Sequence, residues 1–293
     1  MNASTVTPRS AYLWSVRREL WDFRPLLGGP VIAGGVVLVG FVLSALQLPQ
    51  NRLETLTLEP ARQAVAIALP YDLAALAIIA TSLIIGAVYC VGALYNERRD
   101  RSILFWKSLP VSDLTTVLAK AILPVAILPA VAAIVILVTH ALMLAITTAI
   151  LMMSGMDPSS TWTRLPFGSL VGAVIWGAFA MALWYAPLWG WLLMVSGWAR
   201  RGPFLWAFLT PLALALIEKL AFGSGHVISE ISYRLGGLAH AFTIHAHGHT
   251  PLDPVPVPDP AGFLTNPDVW IGLVVAAACL GVGVWQRRYR DPV

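Results

Sequence analysis

Residues 118–153 read LAKAILPVAILPAVAAIVILVTHALMLAITTAILMM, with Lys120 the only formally charged side chain. A helical crossing of a bilayer core needs about 20 apolar residues, and this block exceeds that. As one helix at about 1.5 Å per residue it would run roughly 50 Å. Pro124 and Pro129 remove backbone donors, so the block either bends there or protrudes from the bilayer. No polar turn divides it, and it is read as one kinked span.

Five further blocks have the same character: 26–48, 73–95, 169–198, 203–222 and 269–285. Block 169–198 is also overlong, contains Pro187, and is likewise read as one kinked span. Inside lipid every backbone polar group must be satisfied within its own segment, which makes these helices. None shows the two-residue alternation of a barrel strand. The expectation is an all-α polytopic membrane protein, one transmembrane domain of six helices over 1–293. Composition agrees. Hydrophobic residues make up 58% and charged residues 12%, against about 45–50% and about 25% in a soluble chain. That excludes a soluble enzyme, a disordered chain and a nucleic-acid binder. The net charge is only +4. Cys90 and Cys279 both lie within apolar blocks and form no disulfide or metal framework.

The stretch 10–24 mixes Trp14, Trp21 and Phe23 with Arg17, Arg18, Glu19 and Arg24. It suits a helix lying in the headgroup layer, the plainer alternative being a cytosolic tail. The first block is longer than a signal h-region and is not expected to be cleaved. With six spans and both termini cytoplasmic, fourteen of the nineteen Lys and Arg residues fall on the inner side, as the positive-inside rule requires. The outer connections are then 49–72, 154–168 and 223–268, and the inner ones 96–117 and 199–202. The last outer loop is the longest. It contains a proline-rich extended segment over 251–260, preceded by a moderately apolar region, 226–244, suited to dipping into the interface.

The first inner loop carries the most information. It reads Glu97-Arg98-Arg99-Asp100-Arg101-Ser102-Ile103-Leu104-Phe105-Trp106-Lys107-Ser108-Leu109-Pro110-Val111-Ser112-Asp113. Glu97 and Asp100 favour a helix N-terminus, Pro110 ends that helix, and Ser112 or Asp113 caps the next. The expectation is a short helix over 97–109 on the cytoplasmic membrane face, with Phe105 and Trp106 suited to a protein contact. A basic juxtamembrane loop is the bland alternative, but it leaves the apolar run 103–106 unexplained.

This loop resembles the coupling helix of ABC-2 type transporter permeases, whose pattern between spans two and three is Glu-Arg-Glu, a small residue or Thr, an apolar stretch, then Pro-Val-Ser or Pro-Ile-Ser. Glu97, Arg98, Ser102, Leu104, Pro110, Val111 and Ser112 fall in register. Arg99 stands where the family has Glu, and Arg101 where it often has Gly. The six-span layout, the basic N-terminal stretch and the long loop before the last span extend the resemblance, and in the family that loop often holds short re-entrant helices. The resemblance implies a permease in a bacterial inner membrane, dimerised with a second permease subunit, identical or related. Each would dock residues 97–112, Arg99, Asp100 and Arg101 included, on a separate ATPase subunit. ATP and Mg belong to that partner. No lysine of this chain follows Gly, so it carries no phosphate-binding Gly-Lys-Ser/Thr loop.

Three other features offer alternatives. His245, His247 and His249, with His226 and His240 upstream, share one strand face and suit either a divalent metal or an unstructured polar loop. Glu218 and Lys219, late in the fifth span, either line a path or anchor at the interface. His140 serves a helix–helix hydrogen bond or a proton relay. Most tryptophans read as belt anchors, and Gly168 and Gly172 as one small-residue packing pair. A membrane-embedded enzyme, a non-pumping binding or immunity protein, and an ATPase-driven mechanical signaller are the competing functional classes. The spans hold few fixed charges, which favours a hydrophobic or amphipathic cargo such as a lipid, peptide or antibiotic.

Overall fold

The structure is a computed structural model and describes residues 8–45, 47–102, 111–165, 167–243 and 257–289. Among the described residues six helices are long and apolar enough to cross a membrane. The only strand pairing among the described residues is a two-residue antiparallel contact of β1 (Phe242–Thr243) with β2 (Val257–Pro258). The chain is an all-α, multi-pass membrane protein. Long helices present Val31, Ile32, Val36, Ile84, Leu205, Leu212, Leu220 and Val274 outward, which suits lipid and not water.

Helix α1 (Pro8–Asp22) precedes the first span, α2 (Pro25–Ala45). It is inside-out relative to a soluble helix: Trp14 and Trp21 are exposed and Glu19 is buried. Arg17 lies over both indoles, at 5.3 and 4.6 Å from their centroids. Aromatic rings and an arginine on the outward face suit the interfacial position. The connection 49–72, expected as a loop, is instead helix. It comprises α3 (Leu48–Leu56) and the first turns of α4 (Pro60–Ala93). Pro60 opens α4 at the position where a missing N–H costs nothing. At about 1.5 Å per residue, α4 outruns an apolar core of about 30 Å.

A short helix, α5 (Tyr95–Arg99), follows, and the third span starts at α6 (Asp113–Ile122). That span neither breaks nor divides. A π-helical turn, Leu123–Ile127, contains Pro124 and passes into α7 (Leu128–Met153). Widening the helix by one residue accommodates a position that cannot donate. After α8 (Ser159–Arg164), the fourth span is α9 (Phe167–Trp184), a turn at Tyr185, and α10 (Ala186–Trp198), with Pro187 in the first turn of the second piece. The fifth span is α11 (Pro203–Phe222), which buries only Ala207 and so stands at the periphery.

The described parts of the long connection expected at 223–268 are folded against the bundle, residues 244–256 lying outside the described residues. They hold α12 (His226–Gly236), a 3-10 turn (Gly237–Ala241) and α13 (Pro260–Thr265) before the last span, α14 (Pro267–Tyr289). Trp184 Nε1 donates to Arg234 O at 2.8 Å, Tyr185 Oη to Leu235 O at 3.0 Å, and Trp176 Nε1 to Ala241 O. Trp184, Trp189, Phe263, Leu26 and Leu128 form the centre of the core. Trp184 and Trp189 are therefore core residues.

The most extensive helix pair is α10 with α14. Gly190 makes it close: a Cβ there would lie 3.1 Å from both Cα and O of Ala276. Gly168 and Gly172, the pair singled out in the sequence, face open space. The small-residue seam runs instead along Gly272 and Ala276 of α14, four residues apart, a spacing that lets backbones approach.

Candidate functional site

One end of the bundle gathers α1, α5, the start of α6 and the end of α14; it is called the charged end below. Glu97 lies on α5 with its side chain 11% exposed. Its carboxylate meets Lys120 Nζ of α6 at 3.0 Å, Arg18 Nη2 of α1 at 3.2 Å, and Arg287 Nη1 of α14. Lys120, 3% exposed at the side chain, also receives both oxygens of Glu19 at 2.9 Å. Tyr89 Oη on α4 donates to Glu19 at 3.1 Å, and Arg18 pairs with Glu19. Arg287 Nε reaches Asp113 at 3.1 Å, on the first residue of α6. Three acids, Glu19, Glu97 and Asp113, thus face three bases, Arg18, Lys120 and Arg287.

Such charges are tolerated out of water only when paired and hydrogen-bonded, and removing one partner costs about 3–5 kcal/mol. The fold aims them inward by simple means. Glu19 sits on the α1 face that also carries Val16, Leu20 and Phe23, which pack on the core. Lys120 sits on the α6 face with Thr116, Val117 and Ala121. Ser112 caps α6 by accepting from Thr115 N at 3.1 Å and so fixes its phase. Beside the network lies a cleft of about 440 Å³, bordered by Glu19, Tyr89, Asn96, Glu97, Asp100, Ser102 and Lys120.

Arg98 makes a second fastening. It is buried, and its Nη1 donates to Gly197 O at 2.6 Å and Ala199 O at 3.3 Å, at the C-terminus of α10. A cation there satisfies carbonyls that the helix leaves unpaired. Ser196 Oγ accepts from Leu94 N and Tyr95 N at 3.0 and 2.9 Å. The junction of α4 and α5 is thereby tied to the fourth span.

Among the residues expected to contact a partner, then, Glu97 and Arg98 are turned inward. Arg99, Asp100 and Arg101 face outward. Arg99 Nε donates to Asp100 Oδ1 at 2.8 Å, and that bond holds the Asp100 carboxyl below its ordinary value. Arg101 has φ of 54°, a left-handed conformation uncommon for a side chain other than Gly. Ser102 Oγ donates to Glu97 O, and Val111 and Ser112 lead into α6. Leu104, Phe105, Trp106 and Pro110, and with them the body of the expected helix over 97–109, lie outside the described residues.

The other candidates do not join this node. Glu218 of α11 is a cap: it accepts from Ser224 Oγ at 2.6 Å and from His226 N and Val227 N, both at 2.8 Å, at the start of α12. Lys219 is exposed. His140 is buried on α7, with Nε2 3.0 Å from Tyr71 O of α4, which is the helix–helix hydrogen bond expected for it. The His240 ring lies 5.3 Å from that of Tyr233, tilted by 48°, and His226 meets Glu218. His245, His247 and His249 lie outside the described residues, among which no three His, Cys, Asp or Glu side chains are grouped to hold a metal.

Glu19, Lys120, Arg287 and Asp113 were not named as site residues by sequence reasoning. A signal existed for one of them: Lys120 is a cation within the third apolar block, and charges in such blocks face the bundle interior. Comparison does not name the site, as no protein-family model, curated protein or solved structure matches this chain.

Proposed function

We propose that the chain is the transmembrane permease subunit of an ABC-2 type exporter in a bacterial inner membrane, with both termini cytoplasmic. It pairs with a second permease subunit, identical or related, among membrane lipids. A separate ATPase subunit holds ATP and Mg and docks on the segment over 97–112. The cargo is hydrophobic or amphipathic: a lipid, peptide or antibiotic.

The observation that carries this reading is the node. The segment following Glu97 is the one with the exposed charges and the apolar run, and its root is ion-paired to α1, to the third span and to the last span. Arg98 ties the same root to the fourth span. Force applied at Glu97 and Arg98 reaches those elements through buried, short contacts. A nucleotide cycle biases a transporter only through a segment coupled differently to its two states.

The test is to co-express the chain with candidate ABC-type ATPase subunits from the same source and purify any complex. The expected result is joint purification and an ATP turnover that falls about tenfold, about 1.4 kcal/mol, when Phe105 and Trp106 are both changed to Ala. An isolated chain that never binds an ATPase, or a complex whose turnover ignores the double substitution, refutes the proposal. Cargo movement in proteoliposomes separates an exporter from a mechanical signaller.

A further inference from the structure

Away from the charged end, α4, α7 and α9 enclose a cavity of about 190 Å³, closed by Leu238 and Phe242 of the folded-back segment. Its walls are Ala, Ile, Leu, Val, Met, Phe, Pro and Gly, apart from two side chains, Asp72 and His140. His140 is 3% exposed. Its Nε2 faces a backbone carbonyl, that of Tyr71, at 3.0 Å. A carbonyl only accepts, so Nε2 carries the hydrogen, and in a neutral imidazole the other nitrogen is an acceptor. That nitrogen, Nδ1, is buried without a hydrogen-bond partner. A buried unsatisfied acceptor calls for an explanation, a bound ligand among them. The second polar group, Asp72, follows Tyr71 in sequence and lies on the exposed rim of the cavity. Both polar groups of the cavity therefore accept, and no Lys or Arg lines it.

We propose that this cavity binds a compact lipophilic amine, its hydrocarbon body among the apolar walls, an N–H on His140 Nδ1, and Asp72 as counter-charge. Size fits: an engineered apolar cavity of about 150 Å³ holds benzene. A phospholipid headgroup is disfavoured, because its phosphate would meet Asp72 with no lining cation to offset it. The site is independent of the ATP-driven reading, since binding needs no partner subunit.

The test uses the full chain in phosphatidylcholine nanodiscs, titrated by calorimetry with adamantan-1-amine and with adamantane-1-carboxylate, which share one hydrocarbon cage. The amine is expected to bind saturably at one site and the carboxylate not at all. Asp72→Asn and His140→Phe are each expected to weaken the amine about tenfold or more. Equal binding of the carboxylate, or amine binding unchanged in Asp72→Asn, overturns the proposal. Should His140→Phe not fold, Asp72→Asn decides alone, because that position is exposed.

Discussion

At the charged end, Glu19, Glu97, Lys120 and Arg287 join α1, α5, α6 and α14 through bonds from side chain to side chain. At the far end, Trp176, Trp184 and Tyr185 hold the folded-back segment through bonds from side chain to backbone carbonyl. The two chemistries do different work. A carbonyl anchor is indifferent to which residue supplies the carbonyl, and it sits here in a close-packed aromatic core. An ion-pair network depends on the identity of every member, and a member can exchange partners when helices shift. The node also borders an open cleft, whereas Trp184 is fully buried. The charged end is thus joined mainly by residue-specific ion pairs, and the far end by carbonyl anchors in a packed aromatic core.

The largest effect tests the node. Lys120→Met leaves Glu19 and Glu97 with the partly exposed Arg18 as the one cation they still share and should lower stability by about 3–5 kcal/mol, read as denaturant or thermal unfolding in detergent. Adding Glu19→Gln should restore part of the loss, because Glu97 keeps Arg287. If the single and double variants unfold alike, the two pairs are independent and there is no network.

Next comes the seam between the two ends. Gly190→Val pushes a branched side chain into the backbone of Ala276 and should cost about 1–3 kcal/mol, whereas Gly172→Ala, in open space, should cost little. Equal effects from the two would mean that α10 and α14 do not pack as described.

A smaller effect tests the aromatic joint. Tyr185→Phe deletes one hydroxyl donor to Leu235 O and should cost about 1 kcal/mol. A loss as large as that of Lys120→Met would erase the contrast between the ends. The smallest concerns the exit from the node. Arg101→Gly relieves a left-handed backbone and should raise stability by up to about 1 kcal/mol. A decrease would show that the arginine side chain itself holds the turn.

The six spans were legible because an apolar block long enough to cross a bilayer has no other stable use of its backbone. The kink at Pro187 was legible for the same reason that prolines always are. The region 49–72 was not, because Arg52, Glu54, Glu59 and Arg62 interrupt its hydropathy while leaving helix propensity intact. Glu97 and Arg98 were legible as notable residues, but their orientation was not. In a chain read one residue at a time, a charge beside an apolar block looks solvated. Only the opposing Lys120, Arg287 and Gly197, remote in sequence, turn those two residues inward.

By itself the sequence determined membrane character, helical class and how many helices are long and apolar enough to cross, because those depend on transfer free energies summed over local windows. Tertiary structure alone decided which charges face each other, that Glu218 caps a helix, and that His140 keeps a free acceptor beside an apolar cavity. Those outcomes depend on pairs of residues tens of positions apart, whose meeting is set by how helices pack and not by what either residue prefers alone.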